Sequence, residues 1–285
     1  MKIKEIIDLN VNKLIKETKI EKSEAFIIVK ELLVFFLKKD KNFLLINNEL
    51  EIEEENIQIF NNYVEKILEG KPLQYITNKA YFLDNEFFVD ENVLIPQPDT
   101  EIVVLKGYEL VNGKEEVDIL DLCTGSGAIS ISLYNLLKKD IEGKNINIIG
   151  TDISKKVLKI AEKNNNIMGS KVSFIKSDLF KNIKEKYDLI ISNPPYIKSM
   201  DIKNLSKEVQ NEPRLALDGG EDGLTFYRKI LIEAYKYLKE EGFLVLEIGF
   251  DQKEDILRLE KENLEFIEGI KDLSNNDRCL IFKRK

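Results

Sequence analysis

The fold of this chain is decided by residues 116–138, which read EVDILDLCTGSGAISISLYNLLK. The segment begins as an apolar strand, and an amphipathic helical pattern occupies residues 129–137. Gly125 and Gly127 lie in the turn between them, where glycine lets a ligand approach the backbone at the N-terminus of the helix. This strand–turn–helix unit predicts an open α/β sheet with a ligand site beside the turn.

Strand and helix patterns alternate from residue 99 onward. Candidate strands occupy residues 116–122, 145–151, 171–176, 187–192, 243–248, 263–270 and 278–283. Candidate helices occupy residues 100–112, 127–138, 154–166, 223–240 and 251–261. Such alternation predicts a mostly parallel sheet with helices on both faces. Only a short turn separates the last two strands, so we expect them to form an antiparallel hairpin, with Cys279 as a small buried side chain in the second.

The residues before the sheet divide into two further segments. Residues 1–70 carry three stripes of apolar side chains at helical spacing, which predicts a small helical bundle. The glutamate-rich run 49–55 is expected to be a solvated loop or the start of a helix. Residues 71–98 are rich in aromatic and β-branched side chains around Asp84, a pattern typical of a β-hairpin. We therefore predict a helical domain over 1–70, a linker with a hairpin over 71–98 and the α/β domain over 99–285.

Composition excludes several classes of catalyst. The 285 residues include 51 acidic and 43 basic side chains, for a net charge of −8, and no histidine. Without histidine there is no Ser-His-Asp or Cys-His nucleophile pair, no HExxH zinc site and no imidazole proton shuttle. Two cysteines, Cys123 and Cys279, make neither a disulfide framework nor a four-cysteine site, and we expect no metal. Any chemistry must use carboxylates, amides, hydroxyls, backbone groups or a bound cofactor.

Neither an export signal nor a membrane span is expected. The first residues mix charges into apolar positions, and the most apolar stretch, 25–37, is interrupted by Lys30 and Glu31. Together with the sparse cysteines, this favours a reduced, cytoplasmic protein. The excess of acidic side chains argues against a stable complex with nucleic acid.

The loop Asp121–Gly127 resembles the D-x-x-x-G-x-G turn of class I S-adenosylmethionine-dependent methyltransferases, whose backbone cradles the amino acid part of that cofactor. It has neither GxGxxG spacing nor the Gly-Lys-Ser/Thr of a P-loop, and a plain tight turn is the alternative. Asp152 follows the next strand, where a carboxylate accepts hydrogen bonds from ribose hydroxyls, or where it or Ser154 caps a helix. Asp178 and Leu179 follow the third strand, where they would meet the adenine edge or form a common turn.

The chemistry is indicated by residues 188–197, which read DLIISNPPYI. An apolar strand runs into Asn193-Pro194-Pro195-Tyr196, and each proline supplies a carbonyl but no N–H. The Asn193 side-chain oxygen and the Pro194 carbonyl oxygen would hold both N–H bonds of a planar amide or amine and aim this weak nucleophile at an electrophilic methyl group. Tyr196 would pack on the flat face of that group and exclude water. The alternative is a strand ended by two prolines.

Further segments resemble the HemK/PrmC family, which methylates the side-chain nitrogen of the glutamine in the Gly-Gly-Gln motif of peptide chain release factors. These segments are GKPLQYI at 70–76, LIPQPDTE at 94–101, NEP at 211–213, DGL at 222–224 and EIG at 247–249. The resemblance spans nearly the whole chain. It implies a Rossmann-like class I methyltransferase sheet preceded by a helical domain that docks the substrate. It also implies S-adenosyl-L-methionine as cofactor, S-adenosyl-L-homocysteine as product and release factors as protein partners of a monomeric enzyme.

The resemblance implies roles for individual residues. The catalytic residues, which hold the glutamine amide, are Asn193, Pro194, Pro195 and Tyr196. The cofactor-binding residues are Asp121, Cys123, Thr124, Gly125, Ser126, Gly127, Asp152, Asp178, Leu179 and Asn193. Cys123 stands where the family usually has glycine, and because the loop contacts the cofactor largely through its backbone, this side chain is expected to be tolerated if its φ is negative. Gln97 stands where the family usually has arginine, which affects either a substrate contact or an interdomain hydrogen bond.

Three alternatives to a release factor methyltransferase are open. The first is a family sibling that methylates a glutamine of a ribosomal protein, and the second is a DNA adenine N6-methyltransferase, which the acidic charge disfavours. A binding module without activity is disfavoured by the intact loop and NPPY motifs. Methyl transfer to an amide needs no strong base at the outset, because a methylated amide nitrogen loses its proton readily. That requirement agrees with the absence of histidine.

Overall fold

The computed structural model describes residues 1–140 and 145–285, which form two compact units. The first unit comprises Met1–Asn78 and Ser206–Asn211, and the second comprises Lys79–Leu205 and Glu212–Lys285. Across the described residues, no helix combines the length and the apolar character needed to cross a membrane.

The first unit is helical. Its helices are α1 (Ile3–Thr18), α2 (Lys22–Leu37), α3 (Lys41–Ile46), α4 (Glu54–Leu68) and α5 (Leu73–Thr77), with one further helical turn at Lys207–Gln210. The three predicted apolar stripes lie on α1, α2 and α4 and form one core around Leu14, Leu32 and Phe60. Sequence periodicity does not reveal α3 and α5, because six and five residues are too few to display it.

The glutamate-rich run 49–55 is both a solvated loop and a helix start. The exposed Glu49 carboxylate pairs with the ammonium group of Lys2 at 2.8 Å and also with Lys4. Glu54 and Glu55 form the first turn of α4, where negative charge is favourable near the helix N-terminus.

The second unit begins with a β-hairpin. Strands β1 (Ala80–Phe82) and β2 (Asn85–Phe87) are antiparallel, which confirms the hairpin predicted around Asp84. Phe82 and Phe87 are buried and meet edge to face with ring centroids 6.1 Å apart. These two rings join the hairpin to the core of the second unit.

A seven-stranded mixed sheet follows. Its strands are β3 (Glu116–Leu122), β4 (Asn145–Asp152), β5 (Val172–Lys176), β6 (Tyr187–Ser192), β7 (Leu238–Glu247), β8 (Leu264–Lys271) and β9 (Asp277–Arg284). Their spatial order is β5-β4-β3-β6-β7-β9-β8. The pairs among β3 to β7 are parallel, whereas β9 is antiparallel to β7 and β8. The predicted parallel sheet and its antiparallel C-terminal hairpin are confirmed.

Helices cover both faces of this sheet. They are α6 (Glu101–Val111), α7 (Ala128–Asp140), α8 (Lys155–Met168), α9 (Thr225–Tyr237) and α10 (Lys253–Arg258). Every residue of β6 is buried, and its alternate side chains enter two separate cores. Leu189 and Ile191 belong to the core that contains α6 and α7, whereas Ile190 belongs to the core that contains α9. Cys279 of β9 is fully buried, as predicted.

The boundary between α9 and β7 differs from the prediction. The strand begins at Leu238 rather than 243, and the helix ends at Tyr237 rather than 240. The Lys239 ammonium group bonds to the carboxylates of Asp118 at 2.5 Å and Asp188 at 2.7 Å on neighbouring strands. These charge-assisted hydrogen bonds hold Lys239 in the strand. The charged residues at this point of the sequence resemble the end of a helix, so the sequence pattern does not reveal the start of the strand.

Candidate active site

A cavity of about 190 Å³ lies where the carboxyl ends of β3, β4 and β6 meet. Ligands of open α/β sheets bind at this edge. Nine of the predicted site residues line the cavity: Cys123, Thr124, Gly125, Ser126, Asp152, Asp178, Leu179, Asn193 and Pro195. Four do not line it: Asp121, Gly127, Pro194 and Tyr196. All of the lining residues belong to the second unit.

The loop after β3 is held by backbone hydrogen bonds to β4 and within the loop itself. The Thr124 N–H donates to the Thr151 carbonyl at 2.8 Å, and the Gly127 N–H donates to the Thr124 carbonyl at 2.9 Å. Gly127 has φ +82°, and a Cβ there would lie 2.8 Å from Ile131 Cδ1. A Cβ at Gly125 would meet only the Cys123 carbonyl, at 4.0 Å, so the loop is open above this residue. Gly127 thus permits the turn, and Gly125 leaves the backbone accessible.

Cys123 has φ +60°, so the condition of a negative φ, under which this side chain is expected to be tolerated, is not met. The turn from β3 into α7 requires left-handed backbone at this position, where the family's usual glycine is unstrained. The half-buried side chain packs against the core that contains α9 while it lines the cavity. Burial raises the pKa of its thiol, and the nearby carboxylates of Asp152 and Asp121 raise it further. Cys123 is therefore a neutral wall residue in a strained conformation.

Asp121 supports the loop after β3 from the buried side of the cavity wall. Its carboxylate is fully buried and accepts a hydrogen bond from the Thr124 hydroxyl at 2.5 Å. Burial raises the pKa of Asp121 to about 7, against hydrogen bonds from Thr124 and Ser130 that lower it. The predicted residue is thus present at the site but supports the cavity wall rather than forming it.

Asp152 stands at the end of β4 and lines the cavity. One carboxylate oxygen accepts the Ser154 N–H at 2.9 Å, and the other accepts the Gly125 N–H at 3.4 Å. Burial raises the pKa of this carboxyl, although these backbone hydrogen bonds lower it. Ser154 caps α8 by accepting the Val157 N–H at 3.5 Å, so the capping role belongs to Ser154. Asp152 retains lone pairs for a ligand's hydroxyl groups.

The turn after β5 completes this side of the cavity. The Ser177 hydroxyl donates to the Leu179 carbonyl at 2.6 Å and accepts the Asn182 N–H at 3.0 Å. Leu179 has φ +48°, and both Asp178 and Leu179 line the cavity. A common turn and a ligand-facing position therefore coincide here.

The Asn-Pro-Pro-Tyr segment leaves β6 opposite the loop after β3. Asn193 is half-buried, and its Nδ2 donates to the Thr100 hydroxyl at 3.2 Å. Beyond the motif, the Ile197 N–H donates to the Leu217 carbonyl at 2.9 Å. The Tyr196 carbonyl accepts a hydrogen bond from Gln252 Nε2 at 2.9 Å. Burial raises the pKa of Tyr196 to about 12, so its hydroxyl is neutral and suited to packing.

Sequence reasoning assigned no role to three groups behind this motif. Thr100 and Glu247 are buried beside Asn193, and Arg278 pairs with Asp99 at 2.9 Å and with Asp272 at 3.0 Å. Burial raises the pKa of Glu247 to about 7. Glu247 ends a parallel strand next to β6, and that position was the available signal.

Segments that resemble the family in sequence also meet in space. Within the first unit, Asn211 Nδ2 donates to the Gly70 carbonyl at 2.9 Å. Within the second, the Ile95 N–H donates to the Glu212 carboxylate at 2.9 Å. The exposed Gln97 side chain donates to the Ile95 carbonyl at 3.0 Å and lines the cavity, so its amide bonds within its own unit. Glu212 therefore fixes the irregular segment that carries Gln97.

The cavity can hold a nucleoside-containing cofactor by contacts that need no metal. Across the described ranges, no group of three or more acidic or cysteine side chains is placed to bind a metal ion. The open space at Gly125 and the carboxylate of Asp152 supply room and acceptor oxygens for a polar ligand that carries hydroxyl groups. A mixed sheet of this order with a glycine loop at β3 defines a class I methyltransferase domain.

Comparison with known proteins identifies the family. A model of the "Methyltransferase domain" matches residues 113–276, and a model of the "PrmC N-terminal domain" matches residues 13–77. The release factor glutamine methyltransferase of Bacillus cereus is 38% identical over 253 residues, which cover 86% of this chain and 87% of the relative. This chain therefore belongs to the PrmC/HemK family of release factor glutamine methyltransferases, as its motifs predict.

Two further comparisons concern the substrate and the fold. The ribosomal protein uL3 glutamine methyltransferase of Francisella tularensis is 40% identical over 213 residues, which cover 73% of this chain and 66% of the relative. A methyltransferase crystal structure from Pyrococcus furiosus has a TM-score of 0.50 at 20% identity, covering 78% of this chain and 98% of that chain. The latter supports the fold alone.

Proposed function

We propose that this chain transfers a methyl group from S-adenosyl-L-methionine to the side-chain amide nitrogen of the glutamine in the Gly-Gly-Gln motif of peptide chain release factors. The observation that carries the proposal is the position of Asn193 at the end of β6, on the same cavity as Gly125 and Asp152. A group that holds a planar amide thus shares one cavity with a loop suited to the cofactor.

The cofactor would be held by the loop Cys123–Gly127, by Asp152 at its ribose and by the Asp178–Leu179 turn near its adenine. These residues fit such a ligand because Gly125 leaves the loop backbone open and Asp152 offers carboxylate acceptors inside the cavity. When bound, S-adenosyl-L-methionine supplies an electrophilic methyl group. The residues of the chain supply orientation and exclusion of water.

Asn193 and Pro194 position the nucleophile. Asn193 Oδ1 and the Pro194 carbonyl oxygen would accept hydrogen bonds from the two N–H groups of the glutamine amide, which fixes the plane of the amide and the direction of its nitrogen. Of these two residues, only Asn193 lines the described cavity. Pro195 lines the cavity and the partly buried Tyr196 follows it, so we assign both to the exclusion of water from the reacting nitrogen. The nitrogen becomes strongly acidic as it gains the methyl group, so once the transition state has passed it loses its proton without a dedicated base, and the proton reaches water as the product leaves the cavity.

The helical unit is assigned to docking of the protein substrate. It contributes no residue to the described cavity lining, and its sequence matches the family's own N-terminal domain model over residues 13–77. Release factors act in translation, so this substrate places the enzyme in the cytoplasm.

A ribosomal protein is the second candidate substrate, because a uL3 glutamine methyltransferase is 40% identical over 213 residues. The release factor enzyme of Bacillus cereus covers 86% of this chain, against 73% for the uL3 enzyme, which favours the release factor. DNA is disfavoured by the net charge of −8.

A transfer assay with a labelled methyl group tests the proposal. Purified enzyme is given release factor, uL3 and DNA in parallel, and a release factor with the motif glutamine changed to alanine is the matched control. We expect label only in the unaltered release factor. Label in uL3 alone would assign the second substrate, and label in the altered release factor would contradict the glutamine target.

A further inference from the structure

Glu247 occupies a fixed position beside the Asn-Pro-Pro-Tyr segment. Glu247 is the last residue of β7. The residue before it, Leu246, pairs with Ser192 of β6, so Glu247 lies beside Asn193, which follows Ser192. Glu247 is 2% exposed, and its carbonyl oxygen accepts a hydrogen bond from the Tyr227 hydroxyl at 2.9 Å. The backbone therefore holds this carboxyl group in place.

The carboxyl group itself is poorly compensated. Its Oε2 atom is buried and has no hydrogen-bond partner among the described residues. Arg278 is near enough to lower the pKa of Glu247, but its ion pairs are with Asp99 and Asp272. A buried carboxyl group without a paired cation costs stability. Its presence at this position therefore calls for a role other than holding the fold together.

Asn193 meets Glu247 both directly and through Thr100, because hydrogen bonds from the side chains of Thr100 and of Asn193 each lower the pKa of the Glu247 carboxyl group. Asn193 Nδ2 donates to the Thr100 hydroxyl oxygen at 3.2 Å. A threonine hydroxyl has a single proton, and hydrogen bonding from the Thr100 side chain to Glu247 lowers the pKa of that carboxyl. The proton of Thr100 is thus given to Glu247, and its lone pair is left for Asn193. The donors run in one direction, from Asn193 to Thr100 to Glu247.

This direction decides which end of the Asn193 amide faces the substrate. An ionised carboxylate only accepts hydrogen bonds, so the NH₂ end of Asn193 is turned toward Thr100 and Glu247. The Oδ1 atom is then free to accept from a ligand in the cavity that Asn193 lines. If the carboxyl group were protonated or replaced by an amide, it would donate to Thr100. The Thr100 proton would then favour Asn193 Oδ1, and the amide would turn round.

We propose that Glu247 is a positioning residue, whose carboxylate holds Asn193, directly and through Thr100, with its Oδ1 directed at the substrate amide. The inference rests on the proposed function, because the substrate nitrogen must be a donor to Asn193.

The inference predicts a pH dependence of turnover. Burial raises the pKa of Glu247 to about 7, with Asp99 raising it and Arg278 lowering it. The other ionisable groups that face Glu247 are Tyr196, Tyr227 and Cys279, which are neutral because burial raises the pKa of each. Turnover requires ionised Glu247, so it falls as the pH drops below about 7.

Turnover measured against pH tests this in four variants. We expect Glu247→Gln to lower kcat at about pH 8 by roughly 10- to 100-fold and to lose the acidic limb, whereas Thr100→Val should lower kcat less and keep that limb, because Asn193 still contacts Glu247 directly. Thr100→Ser keeps the hydroxyl and should keep the wild-type profile, as should Glu265→Gln, an exposed glutamate of β8. Affinity for S-adenosyl-L-methionine, measured by calorimetry, should change by less than about two-fold in every variant, because the change is in orientation.

The side-chain amide signals of Asn193 give a second readout that needs no substrate. In nitrogen–proton correlation spectra of the free enzyme, assigned by their loss in Asn193→Ala, they should shift with a midpoint near the pKa of about 7 given to Glu247. The shift should be absent in Glu247→Gln. A wild-type amide that does not titrate, or a Glu247→Gln variant with normal kcat and an intact acidic limb, overturns the inference. If no release factor is methylated at all, the proposed function fails, while the amide signals still decide the role of Glu247.

Discussion

The side-chain amide of Asn193 donates to the hydroxyl of Thr100 at 3.2 Å, which links the loop after β6 to the turn before α6. These residues are 93 positions apart in the sequence. The contact orients the one side chain in the cavity to which we assign the substrate amide.

Replacement of Asn193 by alanine removes an acceptor for the substrate nitrogen. We expect turnover to fall by at least about 100-fold while affinity for S-adenosyl-L-methionine stays largely intact, measured by labelled transfer and by calorimetry. The matched control is Asn147→Ala, an exposed asparagine near the start of β4 that bonds to Asp118 at 2.8 Å. Near-normal turnover in Asn193→Ala would refute the role assigned to this residue.

The positive φ of Cys123 predicts that glycine at this position gives a more stable protein than alanine. At φ +60° a side chain costs about 1–2 kcal/mol, which glycine avoids and alanine does not. Both substitutions remove the thiol, so the comparison isolates the backbone. In chemical denaturation we expect Cys123→Gly to be more stable than Cys123→Ala by about 1 kcal/mol. The opposite order would mean that the strain is absent.

Gly127 is expected to tolerate no side chain. Its φ is +82°, and a Cβ would lie 2.8 Å from Ile131 Cδ1, so Gly127→Ala should lower the free energy of unfolding by about 3 kcal/mol and weaken cofactor binding. At Gly113 no atom lies within 4 Å of an added Cβ. Gly113→Ala should therefore be nearly neutral in both measurements, and equal effects of the two variants would contradict this reading of the loop.

The buried carboxyl group of Asp121 makes stability depend on pH. Burial raises its pKa to about 7, above that of an unfolded chain, so the folded state binds the extra proton between about pH 4 and pH 7. Its contribution to stability is full at low pH and is lost as the pH rises. Relative to the wild type, Asp121→Asn should gain roughly 3 kcal/mol between about pH 5 and pH 8.

Denaturation curves at both pH values measure this difference. Glu116→Gln, on the exposed start of the same strand, is the control and should show no such gain. A pH-independent difference between Asp121→Asn and the wild type would place the Asp121 titration outside this range.

Sequence patterns predict the sheet well because strands buried on both faces are continuous apolar runs. The run at β6 is one such strand, and every residue in it is buried. The start of β7 was placed five residues late, because Lys239 is held in the strand by carboxylates from β3 and β6 that periodicity does not reveal. Short helices such as α3 and α5 depend on tertiary contacts and leave no periodic signal.

Some residues of the candidate site can likewise be predicted from the sequence, whereas others cannot. Gly125, Asp152 and Asn193 follow strands directly, so their common edge is readable from chain order. The groups that contact Asn193 cannot be read from chain order, because Thr100 and Glu247 belong to segments that are distant from it in the sequence. The positive φ of Cys123 depends on the turn that the loop must make, which a residue type does not reveal.

The position of the added methyl group tests the central claim most directly. Release factor treated with the enzyme and S-adenosyl-L-methionine is digested, and the peptides are sequenced by mass spectrometry. The account predicts one added methyl group, on the side-chain nitrogen of the glutamine in Gly-Gly-Gln, and none with Asn193→Ala. A methyl group on any other residue, or an equal yield from Asn193→Ala, would contradict it.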